Sequence, residues 1–273
     1  MKIMVPTDFS KLSRVAVDYA IDMAKAINAN IILLQVIVSD TPGMVSMARH
    51  RLHDAVKKSS KVKMERLLKE LSDYVGDEVK ITDATVAGDS FEKVIENFGV
   101  KNSVDLIVMG TKGATGLKKT LFGSNAAAVM ENSTIPVIVI PELARFRGIT
   151  NTVLATETID HFEQLEKIRN FLVAFKTKLH LLHVFNSSTK GLDVEGIKSE
   201  LTKTFKDNNF TITVLQNEDV VEEIEDYCAD INADILVLFT RKHTIFDKIF
   251  NKSVGRELVM HARIPLLAIA NQS

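Results

Sequence analysis

The sequence predicts an α/β protein made of two tandem doubly wound domains, each a five-stranded parallel sheet flanked by helices. Three observations predict it. Short apolar runs alternate with stripes of helical period. Most of the runs are apolar on both faces, as strands covered by helices on each side must be. The whole series then starts a second time.

The first strand is Ile3-Met4-Val5, followed by a helical stripe of Leu12, Val15, Ala16, Tyr19, Met23 and Ile27 with Ser10 placed to cap it. Ile31–Leu34 forms the second strand. A second helix carries Val62, Leu67, Leu68 and Leu71, and Val79–Val86 forms the third strand. Phe91, Val94, Ile95 and Phe98 mark a third helix, Leu106–Met109 the fourth strand, and Asn125–Met130 a fourth helix. Pro136–Ile140 closes the series. Right-handed crossovers turn such a βαβ series into a doubly wound sheet.

The repeat is legible residue by residue. Asp105-Leu106-Ile107-Val108-Met109 is answered by Asp234-Ile235-Leu236-Val237-Leu238, an offset of 129. The same offset matches Thr111 with Thr240, Lys119 with Lys248, Ser124 with Ser253, Ile135-Pro136 with Ile264-Pro265, and Ile140 with Ile269. Upstream, Val36 matches Val184 at 148, and Ile3 is aligned with Val153 at 150. The second copy is therefore shorter between its second and fourth strands, a change expected in a loop. The domains are expected at 1–143 and 148–273, joined by a short connection near Pro141–Gly148.

One stretch carries chemistry. Gly110-Thr111-Lys112-Gly113 begins where the fourth strand stops, and Gly123-Ser124 stands where the next helix starts. Glycines allow a backbone to approach an anion, and helix N–H groups with the helix dipole favour negative charge. Asp8, Val36, Gly88 and Gly110 are each read as lying just after a strand, on the edge where nucleotides bind in such sheets. An empty strand-to-helix turn is the plainer reading of the loop. For Asp8 it is a cap on the first helix, in competition with Ser10.

With these residues in view the chain resembles the universal stress protein family, as a tandem, Rossmann-like member. The resemblance rests on Val5-Pro6-Thr7-Asp8, on Val86-Ala87-Gly88, and on G-x2-G-x9-G-[S/T], met by Gly110, Gly113, Gly123 and Ser124. Gln35 departs from the pattern, since many relatives carry His before the Val. The resemblance implies an ATP-binding subclass site in the first domain, taking ATP alone or with Mg²⁺. Pro6, Thr7, Asp8 and Val36 would hold adenine and ribose, with Gly88 on the same edge. Met109, Gly110, Thr111 and Gly113 would run beneath ribose and phosphates, and Gly123, Ser124 and Asn125 would bind phosphate oxygens. It also implies that the last strands of the two domains pair antiparallel, making a pseudo-dimer within one chain.

The second copy has Phe239, Lys242, Ile245 and Lys252 at the places of Gly110, Gly113, Gly116 and Gly123, and Thr156-Glu157-Thr158 aligned with the Pro-Thr-Asp opening. Side chains there block close approach, so one nucleotide site per chain is expected. The function read from this is an ATP-binding regulatory or stress-resistance protein. The rival is a nucleotide-independent scaffold or interaction protein with an empty loop. A protein partner is unidentified, and further association into homodimers stays open.

Other chemistry is poorly supplied. The sequence has no P-loop, no G-x-S-x-G elbow and no zinc spacing, so no catalytic residue and no metal ligand is assigned. At most, bound ATP is hydrolysed slowly. Lys112, Lys118 and Lys119 read better as a solvated face than as phosphate screens. His50 and His53, flanked by Arg49 and Arg51, lack a third ligand, and His180 and His183 fall on opposite faces of a strand. Cys228 reads as a small buried apolar residue. Across 273 residues the net charge is −1, which gives no footprint for nucleic acid or an anionic membrane. A single cysteine and a strand within the first ten residues predict a cytoplasmic protein without a leader.

Overall fold

The computed structural model describes residues 1–38, 46–76, 78–111, 122–156, 162–186, 194–205, 209–240 and 264–270. The first half runs β1 (Lys2–Pro6), α1 (Lys11–Ile27), β2 (Asn30–Val38), α2 (Ser46–Val75), β3 (Ile81–Gly88), α3 (Phe91–Lys101), β4 (Leu106–Gly110), α4 (Ser124–Asn132) and β5 (Val137–Ile140). The second runs β6 (Asn151–Ala155), α5 (Phe162–Phe175), β7 (Lys178–Phe185), α6 (Val194–Thr204), β8 (Phe210–Gln216), α7 (Val220–Asp230), β9 (Ile235–Thr240) and β10 (Leu266–Ala270).

Among the described residues ten strands join one sheet in the order β3-β2-β1-β4-β5-β10-β9-β6-β7-β8. Within each half every pairing is parallel. The halves meet at β5 and β10, which pair antiparallel with Leu266 opposite Val139 and Ala268 opposite Val137. The expected pairing of the last strands is therefore present. Its cause is plain: all four residues of β5 are buried, so an unpaired edge there would leave backbone polar groups unsatisfied. Helices α1, α2, α5 and α6 cover one face over a core that includes Ala16, Leu71, Phe171 and Leu201. Helices α3, α4 and α7 cover the other, over Ile95, Val129 and Ile224.

Local chemistry explains the elements that position the candidate site. Ser10 caps α1 by accepting from Ser13 N, and Ala16, Tyr19 and Met23 are buried on its inner face as the stripe predicts. The helix ends on Asn28 in the left-handed region. In α2 the inner face differs from the expected one: Met64, Leu67, Leu71 and Val75 are buried, whereas Val62 is 61% exposed. The connection between halves is packed rather than slack. Phe146 sets its ring edge-on to Tyr19 of α1 (5.3 Å between centroids) and 5.9 Å from Phe175 of α5, while Ala144 and Ile149 are buried. Gly148 turns this segment at φ +97°, where a side chain would be strained.

Pairing corrects two sequence alignments. Ile3 and Thr152 occupy the same place, since Ile3 pairs Ile31 and Leu106 while Thr152 pairs Leu179 and Ile235. The offset at the first strand is thus 149, not 150, and the Pro-Thr-Asp opening corresponds to Ala155-Thr156-Glu157. The shortening of the second copy also lies elsewhere than in a loop. Helix α2 has 30 residues and α6 has 11, which accounts for the whole change of offset from 148 to 129.

Candidate functional site at the carboxyl edge of the first half

Strands β2, β1 and β4 lie side by side and end on the same edge of the sheet. Pro6 is level with Leu34, and Thr7 N donates to Leu34 O at 2.9 Å. Met4 pairs with Ile107, so two residues further on Pro6 and Thr7 come level with Met109 and Gly110. From β1 the chain winds one way to β2 and β3, and β4 winds the other way to β5. This is the switch point of a doubly wound sheet, where the crossover connections part and leave a crevice. Pro6, Thr7, Asp8, Met109, Gly110 and Thr111 all border it. Val36 lies inside β2 rather than after it, and Gly88 and Gly110 are the last residues of their strands, so these three sit in the edge itself.

The loop after β1 is locked by its own side chains. Thr7, 6% exposed, accepts from Phe9 N through Oγ1 (3.1 Å) and shares a hydrogen bond with Ser13 Oγ (3.2 Å). Asp8 Oδ1 accepts from Ser10 N at 2.9 Å, and Ser10 Oγ accepts from Ser13 N at 3.1 Å. Ser10 is therefore the helix cap, and Asp8 is an exposed acid held at the crevice by the turn. Between them Phe9 has φ 63°. The other left-handed non-glycine residues described, Asn28, Ser103, Lys176 and Asn232, all follow helix ends. Phe9 stands apart as a bulky residue in a strained conformation, a feature found at ligand sites and no part of the sequence reading.

On the other side of the crevice Thr111 N donates to Ile140 O (3.1 Å), and Gly123 N donates to Thr111 O (2.6 Å). The loop between them thus leaves and returns at one point. Gly113, Lys112, Lys118 and Lys119 lie outside the described residues. Gly123 is the N-cap of α4 at φ −71° with no side-chain cap bond. Its dihedral suits any residue, so what glycine supplies here is the missing side chain at the helix entrance. Ser124 is the first helical residue and does not cap; Ser124 and Asn125 present the first backbone N–H groups of α4 at the edge.

Gly88 has a separate explanation. A Cβ there would lie 2.3 Å from Val94 Cγ2 on α3, so close packing of β3 against α3 requires glycine whether or not a ligand binds.

The second half keeps the frame and changes the lining. Phe239 pairs with Ile269 as Gly110 pairs with Ile140, which puts a phenyl ring in the place of the strand-end glycine. Thr156 repeats Thr7: it is 6% exposed and its N donates to Leu182 O at 3.0 Å. His183 takes the place of Gln35 and donates from Nδ1 to Thr156 O at 2.9 Å. Glu157, Lys242, Ile245, Lys252 and Ser253 lie outside the described residues. His180 binds Asn151 and Thr211 on the α7 side of the sheet, away from His183 as expected. Cys228 is fully buried, and burial pushes its thiol up to about 12. His50 and His53 are on the α2 backbone, but their side chains lie outside the described ones. Among the described residues no group of His, Cys, Asp and Glu could hold a metal, and no helix is long and apolar enough to cross a membrane.

Next to the crevice, on the α1 and α2 side, opens a groove of about 920 Å³ that includes Thr7, Asp8 and Phe9. Its helical walls bring Arg14 and Arg66 onto one carboxylate, Glu70, at 3.0 and 3.1 Å. Hydrogen bonds from Arg66 and then Arg14 hold Glu70 below the ordinary carboxylate range. This triad was missed in the sequence, where its only signal is a run rich in basic residues from Lys57 to Lys69.

The sequence profile of the universal stress protein family matches residues 1–141 and again 160–270. The chain belongs to the universal stress protein family. Among characterised sequences, the universal stress protein MJ0531 of Methanocaldococcus jannaschii is 34% identical over 140 residues, covering 51% of this chain and 81% of the relative. MJ0577 of the same organism is 33% identical over 156 residues, covering 51% of this chain and 93% of the relative. A universal stress protein from Archaeoglobus fulgidus superposes over 99% of this chain and 98% of its own, with a TM-score of 0.68 at 19% identity. At that identity the likeness speaks for the fold, here a tandem universal stress protein fold covered end to end.

Proposed function

We propose that this universal stress protein binds ATP, with one site per chain, at the carboxyl edge of the first half. The observation that carries the proposal is convergence. Thr7 and Asp8 after β1, Met109–Thr111 at the end of β4, and the N-terminus of α4 entered through Gly123 border one crevice at the switch point. Each group suits a part of the ligand. Asp8 can accept from a ribose hydroxyl, strand-end backbone can meet a base, and the first N–H groups of α4 can bind phosphate oxygens. Pro6, Val36 and Gly113 complete the assignment from the motif, whereas Gly88 needs no ligand to explain it. Phe239 in the place of Gly110 argues that the second half carries no equivalent site.

The role that follows is regulatory. Occupancy biases the loop that carries Lys118–Phe122, and a partner protein reads the result in the cytoplasm. Nucleotide extracted from freshly purified protein tests this. The expected yield is about one adenine nucleotide per chain, and none from Gly123→Val, whose side chain closes the entrance of α4. Two nucleotides per chain would overturn the assignment of the second half. No co-purifying nucleotide and no heat on ATP titration of the wild type would favour a nucleotide-independent scaffold.

A further inference from the structure

The groove beside the crevice has a charge that the nucleotide site does not use. Its walls carry Lys11, Arg14, Lys63 and Arg66 against two acids, Asp8 and Glu70. Asp8 accepts from Ser10 N, and Glu70 is shared by both arginines. Lys11 and Lys63 have no carboxylate partner among the described residues. The Lys63 ammonium lies over the ring of Phe9, 5.9 Å from its centroid, which keeps the charge above the groove. Glu70 engages Arg66 through Nε and Arg14 through Nη1, and Asp18 takes Arg14 Nε at 2.7 Å, so Arg66 keeps its outer Nη donors and Arg14 its Nη2 while both planes are fixed.

We infer that this groove is a second anion site, which takes the linear phosphate chain of an oligophosphate. Positive groups placed along a groove, rather than gathered at one point, fit a ligand with several charges in a row. The chain as a whole has a net charge of −1, so the cluster is local and no general polyanion surface. The second half shows that the fold does not demand it. At the offset of 129, Arg66 is replaced by Glu195 and Leu67 by Gly196, on a helix that is 11 residues long instead of 30. The groove lies on the α1 and α2 face, while α4 and its entrance cover the other face of the sheet. Among the described residues the two sites meet at the Thr7–Ser10 loop, so one ligand can bias the loop that borders the other.

The test is calorimetric titration of inorganic tripolyphosphate into the full-length, nucleotide-stripped protein. Wild type is expected to bind, and Lys11→Glu combined with Lys63→Glu to weaken binding about tenfold or more. Lys11 and Lys63 are both exposed, so the variant keeps the fold. Gly123→Val closes the phosphate entrance at α4, so tripolyphosphate bound by this variant reports the groove; it is expected to keep that binding, and to lose about tenfold or more of it when Lys11→Glu and Lys63→Glu are added. In that background ATP separates the two sources of the chemistry: affinity no better than tripolyphosphate marks a free oligophosphate, and tighter binding marks a nucleotide tail, with the groove supported either way. Absent binding in wild type, loss of tripolyphosphate binding in Gly123→Val, or unchanged affinity when the two Lys substitutions are added to Gly123→Val each overturns the inference. The nucleotide reading fails separately, as missing co-purified nucleotide beside intact tripolyphosphate binding.

Discussion

Gly88→Ala is the substitution whose cost can be worked most directly from the structure. The added Cβ would stand 2.3 Å from Val94 Cγ2, more than 1 Å inside van der Waals contact, and 3.8 Å from Val94 Cβ, which is ordinary contact. Val94 cannot turn away cheaply. It is a β-branched residue on a helix, 8% exposed, with one strongly preferred rotamer. The strain is therefore expected to cost about 1–3 kcal/mol. Val94→Ala alone removes two buried methyl groups and costs about 2 kcal/mol. In the double variant the clashing atom is gone, so its loss should match that of Val94→Ala alone rather than the sum. Urea denaturation of the four proteins gives the coupling directly, expected at about 1–3 kcal/mol. Additive losses, or a Gly88→Ala protein as stable as wild type, would refute the packing account. A stable Gly88→Ala protein that had lost nucleotide would return Gly88 to the ligand.

Two further predictions concern the second half. Asp234 Oδ2 accepts from Thr150 N (2.7 Å), Thr150 Oγ1 (2.8 Å) and Asn151 N (2.9 Å), whereas among the described residues its repeat partner Asp105 accepts from Lys2 N alone (2.7 Å). Asp234→Ala should cost about 2 kcal/mol and Asp105→Ala about half that by urea denaturation, and equal losses or the reverse order would contradict the reading. His180 Nε2 faces Asn151 Oδ1 and its Nδ1 faces Thr211 Oγ1, an arrangement that suits the neutral ring. Burial first, then the charge of Lys178, keeps it below the ordinary histidine range, and the unfolded chain takes up the proton first. The stability it contributes is complete above the unfolded value of about 6.5 and declines as pH falls from there toward the folded value. The stability gap between wild type and His180→Gln should narrow between pH 7.5 and 5.5, and a constant gap would rule this out.

Much of the fold was legible because its cues are local. Ser10 precedes a stripe of helical period, and both details survive in α1. The run of matches at offset 129 depends only on counting residues, and it announces two copies of one fold. Register at the first strand was not legible. Ile3-Met4-Val5 and Thr152-Val153-Leu154 are buried on both faces, so no alternation distinguishes an offset of 150 from 149. Only hydrogen-bonded neighbours do, and they align Asp8 with Glu157 and Thr7 with Thr156. The shortened element was hidden for a related reason, since an exposed stretch such as 55–59 carries no apolar stripe to mark it as helix.

The candidate site divides along the same line. Sequence by itself determined the family, the glycine spacing at 110, 113 and 123, and the loss of those glycines at 239, 242 and 252, because these are matters of residue type and count. Tertiary structure decided which of the named residues share a crevice, that Ser10 rather than Asp8 caps α1, and that Gly88 answers to Val94. It also placed Lys11 and Arg14 opposite Lys63 and Arg66, some fifty residues away along the chain. Contacts of that kind come from how two helices lie on one sheet, and no spacing within either helix encodes them.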